Sequence, residues 1–227
     1  MHFDNGIRLA SISSPPPDIH DRAPIVMVKI AILGSTGPVG TLFCTKALDR
    51  GHSVTALART PSKMTLTHKN LKIVQGDATN KDDVAKLCAG ADVVVSCVGQ
   101  PPRAATHIME KTAANILAGK PKKIIVVSSL GLCGSSPLIR YALLPIAGSL
   151  NLRDAERADA LVRDANCPWV CVRPAALGDG AGKGKYLATE ATGASFAMLP
   201  RDDVALFLAD ACESDHWDRK AVQLYAA

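Results

Sequence analysis

From Ile25 onward the chain alternates between two hydrophobic textures. Short apolar, β-rich runs stand at 25–33, 53–58, 71–75, 92–98, 123–128 and 168–173, with a shorter one near 221–225. Between them lie segments that read as helices, at roughly 38–50, 81–89, 103–118, 151–166 and 202–213. Runs such as Val93-Val94-Val95 and Ile124-Ile125-Val126-Val127 offer no polar face, as expected of strands covered on both sides. Strand and helix in alternation predict βαβ units, hence an α/β fold with a doubly wound parallel sheet in three layers, helix on sheet on helix. Residues 1–24 contain Ser13-Ser14-Pro15-Pro16-Pro17 and no periodic pattern. They are expected to form a flexible arm ahead of one domain spanning 25–227.

The first strand runs into Gly34-Ser35-Thr36-Gly37-Pro38-Val39-Gly40, and a helix follows. Each glycine of this G-x-x-G-x-x-G spacing has a use in a dinucleotide site of Rossmann type. Gly34 permits the tight turn, Gly37 lets a pyrophosphate approach the backbone, and Gly40 lets helix and strand pack closely. Pro38 suits a first helical turn, where its missing N–H costs nothing. The free N–H groups beside it, with Thr36 and Val39, would receive phosphate charge. The second strand ends at Arg59, with Ser62 and Lys63 close behind, where an NAD site usually carries an acid for the ribose 2′-hydroxyl. A guanidinium there suits a 2′-phosphate, so NADP(H) is the expected cofactor and NAD the second choice.

Composition narrows the field. The 227 residues are 48% hydrophobic and 21% charged with a net charge of +5, which excludes a wholly disordered chain. Aromatics are 4%, too few for base-stacking platforms, and the basicity is diffuse, so no nucleic-acid partner is expected. Seven scattered cysteines without a C-x-x-C pair read as free thiols of a reducing compartment, and no metal site is argued. No apolar run reaches the roughly 18 residues of a membrane span. The expected location is the cytoplasm.

With the glycine turn, Arg59 and Gln75-Gly76-Asp77 in place, residues 27–226 resemble the atypical short-chain dehydrogenase/reductases, closest to the NmrA-like and flavin/biliverdin-IXβ-reductase-like branch. Further matches are Val95-Ser96-Cys97-Val98-Gly99, Val126-Val127-Ser128-Ser129, Arg173-Pro174 and Arg201-Asp202-Asp203-Val204-Ala205. The resemblance implies that Asp77 and Ala78 border the adenine and that Cys97, Val98 and Gly99 line the ribose and pyrophosphate side. It sets Ser128 and Ser129 near the nicotinamide, and Arg173 and Pro174 at the far wall. Asp77 reads equally as a helix-start turn residue, and the serines as a strand-end turn.

The usual tyrosine with a lysine four residues later is missing: Tyr141 is followed by Pro145 and Tyr186 by Glu190. Alcohol dehydrogenation is therefore in doubt, whereas reduction of a flavin or similar conjugated acceptor needs chiefly an oriented nicotinamide. Ser128, Ser129 and, more weakly, Tyr141 are the candidate catalytic residues. The segment 137–150 reads as a cover for the substrate pocket or as an apolar patch for a lipid or a partner. A non-catalytic redox sensor that reports NADP(H) to a protein partner is the alternative. A nucleotide-sugar isomerase or epimerase fits less well, with about 50 residues left after Pro174.

Overall fold

The computed structural model describes residues 26–99, 107–129, 149–190 and 197–227. Their strands are β1 (Lys29–Leu33), β2 (Ser53–Ala58), β3 (Leu71–Gln75), β4 (Val93–Ser96), β5 (Ile124–Val127), β6 (Trp169–Pro174), β7 (Leu177–Gly178), β8 (Tyr186–Thr189), β9 (Leu199–Pro200) and β10 (Lys220–Ala226). The helices are α1 (Pro38–Asp49), α2 (Lys81–Cys88), α3 (Ile108–Ala118), α4 (Ser149–Arg163) and α5 (Arg201–Glu213).

Eight strands form one sheet in the order β3-β2-β1-β4-β5-β6-β10-β8, and β7 pairs with β9 in a small second sheet. Every pairing in the large sheet is parallel except the antiparallel edge, β10 with β8. Alternate side chains of β1 enter opposite cores, as the two-residue period of a strand requires. Ile30 and Ile32 pack with Phe43 and Cys44 of α1 and Phe207 and Leu208 of α5. Ala31 and Leu33 pack with Val84 of α2, Ile116 of α3 and Val162 of α4. Helices thus cover both faces of the sheet, and the three-layer, doubly wound Rossmann-type fold expected from the sequence is present.

Local signals explain the helix starts. The Asn80 side chain accepts from the N–H groups of Asp82 and Asp83, and those two acids sit where the helix dipole favours them. α3 is capped from outside its own segment: the buried Asp154 carboxylate of α4 accepts from Met109 N and Glu110 N. Several expected boundaries move, among them the helix expected at 151–166, which spans Ser149–Arg163, and three nearer the site. The first strand begins at Lys29 rather than 25, because residues 26–28 are outside the ladder. The fourth stops at Ser96 rather than 98, where Cys97 crosses against Gly34. The third helix begins at Ile108, while 103–106 lie outside the described residues.

The order reverses between β1 and β4, which leave the centre of the sheet in opposite directions. In such sheets ligands bind beyond the carboxyl ends of the strands at this point. Gly34, Arg59, Cys97, Ser128 and Pro174 all stand at that edge.

Candidate functional site

The glycine turn is built from close backbone contacts. Gly34 has φ of +81°, and a Cβ on it would lie 2.6 Å from the Cys97 carbonyl carbon and oxygen. A Cβ on Gly40 would lie 2.1 Å from the Gly34 carbonyl oxygen. Only glycine fits either position, so β1, β4 and the start of α1 meet backbone to backbone. Two hydroxyls brace the turn: Ser35, fully buried, donates to the Leu57 carbonyl, and Thr41 donates to that of Ser35. Gly37 donates its N–H to the Gly34 carbonyl and is the N-cap of α1. That helix start has no side-chain cap and no acid in its first turn, and Pro38 is exposed beside it. Uncapped N–H groups at the positive end of a helix dipole suit an anion. Thr36 is exposed and Val39 half-buried around them.

At the adenine end, Arg59 is exposed just past β2, and Lys63 is exposed in a short 3-10 turn, Pro61–Lys63. Asp77 is turned inward to its own loop, with Oδ1 accepting from both the N–H and the hydroxyl of Thr79. Those two bonds hold its carboxyl below the usual carboxylate range, and the nearby Arg59 charge adds to the effect. Asn115 of α3 donates to the Ala78 carbonyl, a tie that the sequence reading missed.

Past the switch point, Cys97 donates its N–H to the Leu33 carbonyl. Burial pushes its thiol strongly upward, with Cys44 and Cys212 adding to the shift, so Cys97 is no thiolate nucleophile. Val98 is half-buried against the α2–α3–α4 core, and Gly99 is exposed. Ser128 donates its N–H to the Val172 carbonyl, yet its side-chain oxygen is buried without a hydrogen-bond partner among the described residues. Ser129 beside it is half-buried. The Arg173 guanidinium points to Asp159 of α4, with Nε at 3.2 Å and Nη2 at 2.7 Å from its carboxylate. This pair is buried, so what Arg173-Pro174 presents at the strand edge is mainly backbone. Tyr141 and residues 137–148 lie outside the described residues, while α4 begins at Ser149.

His107, Glu110 and Asp154 bring possible metal donors within 4.8 Å of one another. Asp154 spends both oxygens on the α3 N–H groups. Arg157 places a guanidinium nitrogen 3.2 Å from His107 and 3.3 Å from Glu110. A cation already occupies the cluster, which fastens α4 to the start of α3. Among the described residues no helix is long and apolar enough to cross a membrane.

A family model described as NAD(P)H-binding matches residues 34–215, and the chain belongs to that family. Over 92% of its length the chain is 27% identical to the chloroplastic divinyl chlorophyllide a 8-vinyl-reductase of Arabidopsis thaliana. It spans 54% of that protein, and 18% of a 3-beta-hydroxysteroid dehydrogenase from Mycolicibacterium neoaurum, to which 66 residues are 39% identical. Among solved structures, the oxidoreductase ylbE of Lactococcus lactis superposes with a TM-score of 0.75 at 20% identity, covering 88% of this chain and 91% of that one. ChuY, an anaerobillin reductase from Escherichia coli O157:H7, gives 0.71 at 20% identity, covering 86% and 95%. At that identity the structures speak for the fold.

Proposed function

We propose that this protein is an NADP(H)-dependent reductase of a small conjugated acceptor such as a flavin. The residues present fit the dinucleotide: Gly37 leaves room for a phosphate at the uncapped start of α1, while Gly34 and Gly40 let the backbones of β1, β4 and α1 close around that turn. Arg59 offers the 2′-phosphate a guanidinium, and no acid stands at the end of β2 to favour a bare ribose. The observation that carries the reductase reading is the Ser128 hydroxyl. A buried hydroxyl without a partner is costly to keep, and its place at the carboxyl end of β5 suits a group that bonds only when ligands arrive.

When bound, NADPH supplies the hydride. Ser128 then donates a hydrogen bond to the acceptor or to the nicotinamide amide, and Ser129 lies next to it as a proton donor, with solvent as the other source. The backbone at Arg173-Pro174 closes the far wall. Cys97 stays a neutral thiol against the ribose side, and Asp77 and Ala78 rim the adenine. The plant relative, matched over 92% of this chain, has the name of a reductase, which supports the reductase reading.

The test is steady-state NADPH oxidation with a panel of flavins and quinones. Sustained turnover that falls at least tenfold in Ser128→Ala supports the reading. Tight NADPH binding without turnover on any acceptor overturns it in favour of a dinucleotide-sensing protein. The observation that favours this second reading is Tyr186, whose hydroxyl donates to Asp210 of α5 and is unavailable as a catalytic acid.

A further inference from the structure

A cleft of about 310 Å³ opens between the first turn of α1 and the stretch Gly178–Gly182. Its apolar wall is Pro38, Leu42 and Ala181, and its charged groups are Asp179, Arg201 and Asp202. Each of these charges has a partner of opposite sign. Asp202 is taken by Lys46 of α1, with both carboxylate oxygens 2.9 Å from Nζ. That leaves Arg201, whose Nη1 donates to Asp179. The Asp179 side chain is 90% exposed, so it meets the guanidinium from the solvent side. Exposed ion pairs of this kind are weak. Arg201 itself is well placed: the same first turn of α5 holds buried Asp203, whose carboxylate accepts from Lys183 N and Gly184 N and pins the end of the same loop.

We propose that this cleft receives the anionic group of the acceptor, a phosphate or carboxylate, on Arg201, and that Asp179 is its displaceable internal occupant. The inference rests on the reductase reading and narrows the substrate class to conjugated molecules bearing an anionic tail. A planar or alkyl portion lies against Pro38 and Leu42 while the anion replaces the Asp179 carboxylate. Pro38 belongs to both the cleft and the expected phosphate seat, so the two anion positions adjoin.

Flavin fluorescence quenching tests this without turnover. FMN and riboflavin, which differ by one phosphate, are titrated into protein saturated with NADP+, the oxidised dinucleotide that has no hydride to give. FMN should bind about tenfold tighter than riboflavin, the usual return of one charge-assisted bond. Arg201→Gln should abolish the difference, and Asp179→Asn should tighten FMN several-fold while leaving riboflavin unchanged. Equal binding of the two flavins, or a preference that survives Arg201→Gln, overturns the proposal. Weaker NADPH binding in Arg201→Gln with the flavin ratio intact assigns the guanidinium to the cofactor and also overturns it. If neither flavin binds, the flavin reading fails separately, and inorganic phosphate decides the subsite. With NADPH present and chloride matching ionic strength, phosphate should raise the melting temperature of the wild type and not of Arg201→Gln. An equal shift in both refutes the subsite.

Discussion

Alanine at Gly40 would set a methyl group 2.1 Å from the Gly34 carbonyl oxygen, far inside the 3.4 Å at which ordinary contact begins. Relief requires α1 to retreat by more than an ångström. The helix cannot do so alone, because Phe43, Cys44 and Ala47 are fully buried in the core shared with α5. Overpacking of this kind costs about 3 kcal/mol, which for a domain of this size lowers the melting temperature by roughly 6–12 °C. Gly37→Ala is the matched control. The added Cβ meets only the Gly34 oxygen, at 3.3 Å, and φ of −78° suits any residue. Its cost, mainly a poorer N-cap, should stay below about 1 kcal/mol. The same methyl nevertheless stands where the proposed pyrophosphate approaches, so NADPH affinity should fall about tenfold or more, one lost charge-assisted bond being worth that much. Thermal unfolding and NADPH fluorescence titration on both variants read the two effects separately. A Gly40→Ala protein with wild-type melting would refute the packing argument. Wild-type NADPH binding in Gly37→Ala would refute the phosphate position.

Ser128→Ala should leave urea stability unchanged or raise it by up to about 1 kcal/mol, since it removes an unpartnered buried hydroxyl; a larger loss would mean that the hydroxyl is bonded in the free protein. Asp159→Ala should cost about 3–5 kcal/mol in urea unfolding, because it strips a buried guanidinium of its carboxylate; a loss below about 1 kcal/mol would contradict the buried pairing. Burial pushes Cys44 and Cys212 up to about 12 and Cys88 up to about 11. Unfolded thiols ionise near pH 8.5, so this stabilisation is complete below that pH and is lost as pH rises towards the folded values. The urea midpoint should therefore drop between pH 8 and 10, less steeply in a Cys44→Ala, Cys212→Ala double variant, and an identical slope in both proteins would refute the thiol origin.

The strands of the parallel sheet were legible because burial on both faces leaves β1, β4, β5 and β6 almost wholly apolar, with polar residues only at Lys29, Ser96 and Arg173. The glycine turn was legible because its spacing is regular, and two of its three glycines, Gly34 and Gly40, answer close backbone contacts. What escaped has physical reasons too. β8 is an edge strand of four residues in which only Tyr186 and Ala188 are buried, too short an alternation to stand out. Arg173 reads from sequence as a pocket residue, but its partner Asp159 lies 14 positions away on a helix face and only the fold unites them. The cap of α3 by Asp154 crosses 44 residues and has no local signature. His52 looks like a turn residue, yet it is fully buried with Nε2 2.9 Å from Glu213, again a contact across the chain. Ser128 was nominated by resemblance; only the structure shows its oxygen buried and unpartnered.

The central claim is that a phosphorylated nicotinamide dinucleotide binds at the glycine turn with its 2′-phosphate on Arg59. Parallel titration of NADPH and NADH into the wild type and Arg59→Ala tests it most directly. The account predicts NADPH binding about tenfold or more tighter than NADH, one charge-assisted contact, with the advantage lost in Arg59→Ala and NADH affinity unchanged. Equal affinity for the two dinucleotides, or an NADPH preference that persists without Arg59, would contradict it.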